Sequence, residues 1–382
     1  MQLQAFLTGI KSHAGLAKVI ISLLTVFLIA PATTYATRFD SLGTSWLAHI
    51  IADHATRGGN PFNELQSQID QISAELDTLE TTVDEQLMSS LPVEVSVDCS
   101  AGETIADVLT QYENGLAPLT INITGVCLEA VLIIRDGVTL QGVSPDAGIE
   151  STPDVFGSIA VSRGAKDVAI YDLTITGGGI GVLVTKNSQV AIFRVDISGK
   201  TSAVIGFDAS HIDITGSNIH DNGNGILAVR NGTLNASDSL LMNNNIGFVA
   251  ATGGVINLYT FDPFGAVVDG VTVNSTSLGG VVQSGGTLLL GDAQISAPSV
   301  GVNIATMGKA QIADTVFSNG TFGVRTLKNT AVIFGAGNEF NNLTFGVSCN
   351  PDASYQVPGP PGTLPGVMNS VAVPTDAGCT DF

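Results

Sequence analysis

From Gly181 to Val347 a small residue followed by an apolar one recurs at near-constant spacing. The small residues are Gly181, Ala203, Gly225, Gly247, Gly280, Gly301, Gly323 and Gly346, at intervals of 22, 22, 22, 33, 21, 22 and 23 residues. A fixed period of this size, with no helical pattern inside it, predicts stacked units of short strands and not one globular core. A second apolar column confirms the register: Ile175, Ile197, Ile219, Leu241, Val273, Ile295, Phe317 and Phe340 precede the anchors by six or seven residues. Between column and anchor stand turn residues such as Asp221-Asn222-Gly223-Asn224 and Asn243-Asn244-Asn245. Asn and Gly tolerate positive φ, and stacked Asn amides can hydrogen-bond along a solenoid axis, so this corner reads as a structural device.

Each unit resolves into three strands. In the second, the pairs Val190/Ile192, Ile212/Ile214, Leu234/Ala236 and Leu288/Leu290 face inward, and polar residues such as Asp213, Asn235 and Gln311 face out. The first strand breaks that rule, because consecutive residues after the anchor are apolar, and successive strand residues point opposite ways. The following column is also small or apolar, which places Leu183, Ile205, Leu227, Val249 and Val282 outside. Five aliphatic side chains at the strand spacing of about 4.8 Å make a stripe roughly 19 Å long. Monomers rarely leave such a patch in water. The expectation is a second subunit over this face, with the chain's own Pro-rich segment 350–379 as the other cover.

The periodicity changes upstream. Over residues 63–91, Leu65, Ile69, Ile72, Leu76, Leu79 and Val83 alternate steps of four and three, the seam of a short coiled coil flanked by Pro61 and Pro92. The expected role is an oligomerising stalk. Residues 1–36 have the form of a signal peptide: Lys11 and Lys18, an apolar run from Val19 to Ala30, and Thr34-Tyr35-Ala36. The run is too short to span a bilayer, so no transmembrane span is expected after its removal. A linker, 37–62, joins the two. Export to the cell surface or medium would place the four cysteines in an oxidising compartment, where they read as disulfides. Three pairings are formally open; the local ones, Cys99–Cys127 and Cys349–Cys379, would close the two ends of the repeat.

Three further segments carry a resemblance. These are the Gly-x-Thr turn with a short capping helix near 103–110, the Gly-x-Cys-x-Glu segment at 125–129, and Arg135-Asp136-Gly137-Val138-Thr139-Leu140 before Gly142. With the 22-residue coils that follow, residues 95–350 resemble exported bacterial proteins of the right-handed parallel β-helix, pectin-lyase-like superfamily. The resemblance implies an all-β solenoid over 95–349 with a Pro-rich cap at 350–382. It does not imply one activity, because that fold hosts lyases, hydrolases, epimerases, phage spikes and adhesins.

Charge narrows the partners. The chain holds 34 acids and 14 bases, a net charge of −20, which argues against nucleic acid and anionic membrane surfaces. No cofactor is expected, and Ca²⁺ is the one cation such acidity would suit. Asp172, Asp238, Asp292 and Asp314 share a corner position, but Arg194 and Gly216 interrupt the column, so no carboxylate ladder for Ca²⁺ runs through it. His211 and His220 lie on different sides of one unit.

Enzymes of the resembled fold bind sugar along the first strand, with paired carboxylates or a basic group. That face is aliphatic here, and the paired-Asp, Gly-His-Gly and Arg-x-Lys elements of polygalacturonases are absent. The one long interval holds Tyr259-Thr260-Phe261-Asp262-Pro263-Phe264. It resembles the Tyr-Gly-Phe-Asp-Pro-His segment of mannuronan epimerases, with Tyr259 and Asp262 at matching positions and Phe264 where the family has its histidine acid/base. Phe261 and Phe264 therefore read as contact residues for a partner or glycan. The sequence favours a non-catalytic binding or adhesion protein. The alternative is an enzyme, lyase-like or epimerase-like, acting on acidic glycans.

Overall fold

A computed structural model describes residues 67, 70–78, 91–151, 157–259, 270–350 and 352–356. The chain divides into units of residues 1–89 and 90–382. In the first, residues 70–78 are helical, with Gln71 Nε2 donating to Glu75 Oε1 at 3.1 Å and Ile72 largely exposed. No helix among the described residues is long and apolar enough to cross a membrane. The signal segment, the linker, most of the stalk, Phe261, Asp262, Phe264 and Cys379 lie outside the described residues.

The second unit is a parallel β-solenoid. Its second strands form one 12-stranded sheet from Val93–Asp98 to Ser354–Gln356, one strand beyond the expected boundary at the C-terminal end. Third and first strands merge into a 16-stranded sheet, because segments such as Leu240–Ala251 and Val316–Thr326 run through the corner unbroken. Pairing carries each residue onto the one about 22 positions later, as with Ile212 on Leu234 and Ile197 on Ile219. The predicted inner column, Ile175 to Phe340, is buried throughout, and the Phe317 and Phe340 rings stack at 5.2 Å inside the barrel. Burial of whole aliphatic columns is the main stabilising term of such a fold.

The anchor residues are small because the next unit's backbone lies against them: a Cβ on Gly225 would overlap the Gly247 carbonyl oxygen. One anchor is corrected. Phe248 pairs with Gly280, Val249 with Val281 and Ala250 with Val282. The anchor of that unit is thus Gly279, and the extended interval, 247 to 279, adds ten residues to the usual 22. Val282 consequently points into the core and is fully buried, and Val281 takes the outward register position opposite Val249, where it is 9% exposed. The physical reason is packing: Gly280 leaves the space that the Phe248 ring fills, and any side chain there would overlap it.

All three corners use left-handed backbone. Asp172, Arg194, Asp238, Asp292 and Asp314 all have φ between 45° and 53° at the turn from second to third strand, with Gly216 at the same place. Asp tolerates this region through local hydrogen bonding, as expected of a turn residue. At the third corner Asn222 and Asn244 are buried and stacked, with Asn222 Nδ2 donating to Asn244 Oδ1 at 3.0 Å and to Ile197 O at 3.1 Å.

The N-terminal end is closed by the helix Ile105–Gln111, capped by Thr104 and packed against the first strand Val131–Ile133. Cys99 is disulfide-bonded to Cys127, and Cys349 is disulfide-bonded as well.

Candidate functional site

The solenoid presents two broad outer faces of opposite chemistry. On the first-strand face the outward column reads Leu132, Ala160, Leu183, Ile205, Leu227, Val249 and Val281, each paired with the next. Asn303, Arg325 and Ser348 continue it. Seven successive positions carry no polar atom. The middle of the column is half-buried, Leu132 at one end is 55% exposed, and Val281 at the other is buried. The structure brings Leu183, Ile205, Leu227 and Val249 together as expected and replaces Val282 by Val281. An aliphatic wall offers nothing that abstracts or donates a proton.

The outer face of the second-strand sheet is polar and aromatic. Tyr171 and Phe193 pair across adjacent strands with ring centroids 4.9 Å apart and planes 9° off parallel. Beside them Arg194 makes a two-pronged ion pair with Asp172, Nε to Oδ1 and Nη2 to Oδ2, both at 2.7 Å. Gln141 Nε2 donates to Asp172 Oδ2 at 2.8 Å. The guanidinium beside Asp172 holds its carboxyl below the usual carboxylate range.

The neighbouring column is a ladder of planar polar groups. Asn257 Nδ2 donates to Asn235 Oδ1 at 2.7 Å, and Asn235 Nδ2 donates to Asp213 Oδ1 at 2.7 Å. His211 Nε2 lies 3.2 Å from Asp213 Oδ2. The hydrogen bond to Asp213 raises the His211 pKa against the opposing effect of burial. Burial would raise Asp213, but hydrogen bonds from His211 and Asn235 outweigh it and hold the carboxyl low.

On the third-strand side His220 bridges two carboxylates, Asp221 at 2.6 Å through Nδ1 and Asp196 at 3.0 Å through Nε2. The Asp221 hydrogen bond leads in raising its pKa. His211 and His220 thus sit on different sheets, as the sequence implied.

Sequence reading missed Lys200. It occupies the corner position one unit before Asn222, is only 3% exposed, and receives the Asn222 side chain at its backbone N–H, 2.9 Å. Its Nζ reaches back to Ser158 Oγ at 2.5 Å and Thr176 O at 2.6 Å. Ser158 Oγ also pairs with Ser151 Oγ at 2.7 Å. Burial drives the Lys200 pKa down to about 8, opposed by Glu150. A lysine beside a serine hydroxyl has the composition of a nucleophile and its base. Ser158 is fully enclosed, however, so the group closes the end of the Asn ladder. The signal was legible: a lone cation stands in a column of amides at 22-residue spacing.

Among the described residues the only cluster with metal-ligand proximity is Cys99, Cys127 and Glu129. Its sulfurs are joined to each other, and the Glu129 carboxylate accepts the Ile105 and Ala106 amides at 2.8 and 3.1 Å. It is a helix cap. Tyr259 follows the second strand Val255–Leu258 at the base of the long interval, and the rest of that segment is outside the described residues.

Residues 149–262 match the family model described as right handed beta helix region. No curated protein matches the chain. Among solved structures, the A-module of the mannuronan C-5 epimerase AlgE4 from Azotobacter vinelandii is similar over 71% of this chain and 93% of that one, at 16% identity and a TM-score of 0.43. Pectin methylesterase PemA from Erwinia chrysanthemi is similar over 68% and 92%, at 12% identity and 0.37. The Dettilon tailspike protein is similar over 66% and 64%, at 12% identity and 0.25. At these identities the likeness is one of fold. From Val93 to Gln356 the chain is a parallel β-helix, and residues 149–262 of it match the right-handed β-helix region.

Proposed function

We propose that the chain is a non-catalytic, adhesion-type binding protein, exported to the cell surface or medium, and that its ligand is a neutral glycan. The observation that carries this reading is the outer face of the second-strand sheet. There the Tyr171–Phe193 pair lies beside the Arg194–Asp172 pair and the His211–Asp213–Asn235–Asn257 ladder. Sugars are held by apolar contact with aromatic rings and by hydrogen bonds to fixed planar polar side chains. A net charge of −20 opposes polyuronates and leaves neutral polymers as the better ligands.

The test is titration of neutral glycans and uronans onto the full chain and onto Tyr171→Ala and Asn235→Ala variants. Saturable binding of a neutral glycan that drops at least tenfold in both variants supports the reading. Binding to no glycan, or binding that neither substitution changes, overturns it. Recovery of the protein from the envelope or medium of its own host tests the exported location.

A second reading, an enzyme acting on acidic glycans as a lyase or epimerase, is favoured by the likeness of residues 259–264 to the epimerase segment. Incubation with pectate and alginate in the presence of Ca²⁺, followed by ultraviolet absorbance and uronate composition, decides it. Turnover on either polymer would displace the binding reading.

A further inference from the structure

We infer that the first-strand face is the interface of a homodimer in which two copies lie antiparallel, with the two-fold axis over Ile205. The aliphatic column has seven members, and Ile205 is the fourth. Turning a second copy about an axis through that position sets Leu132 against Val281 of the partner subunit, Ala160 against the partner's Val249, and Leu183 against the partner's Leu227. Every apolar position then meets an apolar one. A parallel arrangement in register also sets the column on itself, but it stacks Arg325 on the partner's Arg325, and a shift of more than one unit leaves aliphatic side chains facing Asn303 or Arg325 or water. Two-fold contacts of this self-complementary kind are the commonest way copies of one chain associate.

Charge agrees with a second copy as the occupant. Two molecules that each carry a net charge of −20 repel over most of their surfaces, and this column is free of charge for seven positions. Its first charge is Arg325, two units beyond Val281. In the antiparallel arrangement Arg325 passes the partner's open end, where the cap helix packs on Val131–Ile133. Glu103 and Asp107 are exposed on that cap. The only cation of the column therefore meets an acidic cap. The inference does not depend on the glycan reading, which uses the other sheet.

The experiment is sedimentation of the full chain with cysteine cross-linking. The wild-type chain is expected to sediment as a dimer, and Leu183→Glu/Leu227→Glu as a monomer that keeps the wild-type circular dichroism spectrum. Ile205→Cys, on the axis, is expected to cross-link with itself. Leu132→Cys alone should not, whereas a mixture of Ala160→Cys with Val249→Cys should. A monomeric wild-type chain would overturn the inference, since the face is then covered by the chain itself or left bare. So would a dimer that survives the double Glu substitution, which places the contact elsewhere, or self-linking of Leu132→Cys, which would show parallel copies. Arg325→Glu is expected to weaken the dimer about tenfold, and an unchanged constant would also count against the arrangement.

Discussion

The two outer faces of the solenoid are built on the same backbone, with the same 22-residue register and a common core. They differ almost completely. Leu183, Ile205 and Leu227 line one face; Asp213 and Asn235 line the other, on strands of the same units. Folding requires only that the inward residues be apolar, and both strands satisfy that with Val204 and Ile212, each fully buried. The outward chemistry is therefore free of the fold, and it is what the proposed dimer and glycan readings rest on. One face is suited to another apolar wall and the other to a polar, planar ligand.

The severest way to break this comparison is to damage the core that both faces share. Phe248 fills the space above Gly280, so Phe248→Ala should cost about 3–5 kcal/mol. Gly280→Leu alone should also destabilise, by about 1–3 kcal/mol, through overlap with the ring. Joined with Phe248→Ala, the Leu side chain restores volume to the same space, and the double variant should be more stable than Phe248→Ala. Denaturant unfolding of the four chains measures the coupling. Simple additivity would show that the two positions do not share one space, and with it that the register correction is wrong.

That correction marks where the sequence becomes ambiguous. Side-chain periodicity exposes the inner column because every member, from Ile175 to Phe340, must be apolar at fixed spacing. Leu278-Gly279-Gly280-Val281-Val282 offers two glycine–apolar registers one residue apart, and a one-residue slip inverts every side chain. Only pairing with Gly247-Phe248-Val249 decides between them. The polar face was harder to see for another reason. Tyr171 and Phe193, and Asp172 and Arg194, are 22 residues apart and look unrelated until the units are stacked. The proposed contact residues Phe261 and Phe264 belong to no repeat, so periodicity places neither.

A smaller effect comes from the corner that leads into the apolar face. Lys200 has a folded pKa of about 8 against an ordinary 10.5, because burial penalises its charged form. Between those values the unfolded chain binds more protons than the folded one, so stability rises with pH from about 8 to about 10.5 and is lower throughout the range below. The full span corresponds to roughly 3 kcal/mol. Lys200→Met keeps the length of the buried chain without the amine and should flatten that rise. Unfolding midpoints across this range compare the two chains, and an equal slope in both would remove Lys200 as its source.

The gentlest probe separates the faces by pH. His211 is raised above its ordinary 6.5 by its hydrogen bond to Asp213, and both groups are about half exposed. A raised histidine contributes stability that is fully present below 6.5 and fades as pH climbs through the folded value, so the polar ladder loosens on the alkaline side. Glycan affinity should fall a few-fold over that window, and His211→Gln should abolish the change. The apolar face holds no titrating side chain from Leu132 to Val281, so the dimer constant should stay level across the same pH range in both chains. A dimer constant that followed the His211 titration would mean that the two faces are not independent surfaces.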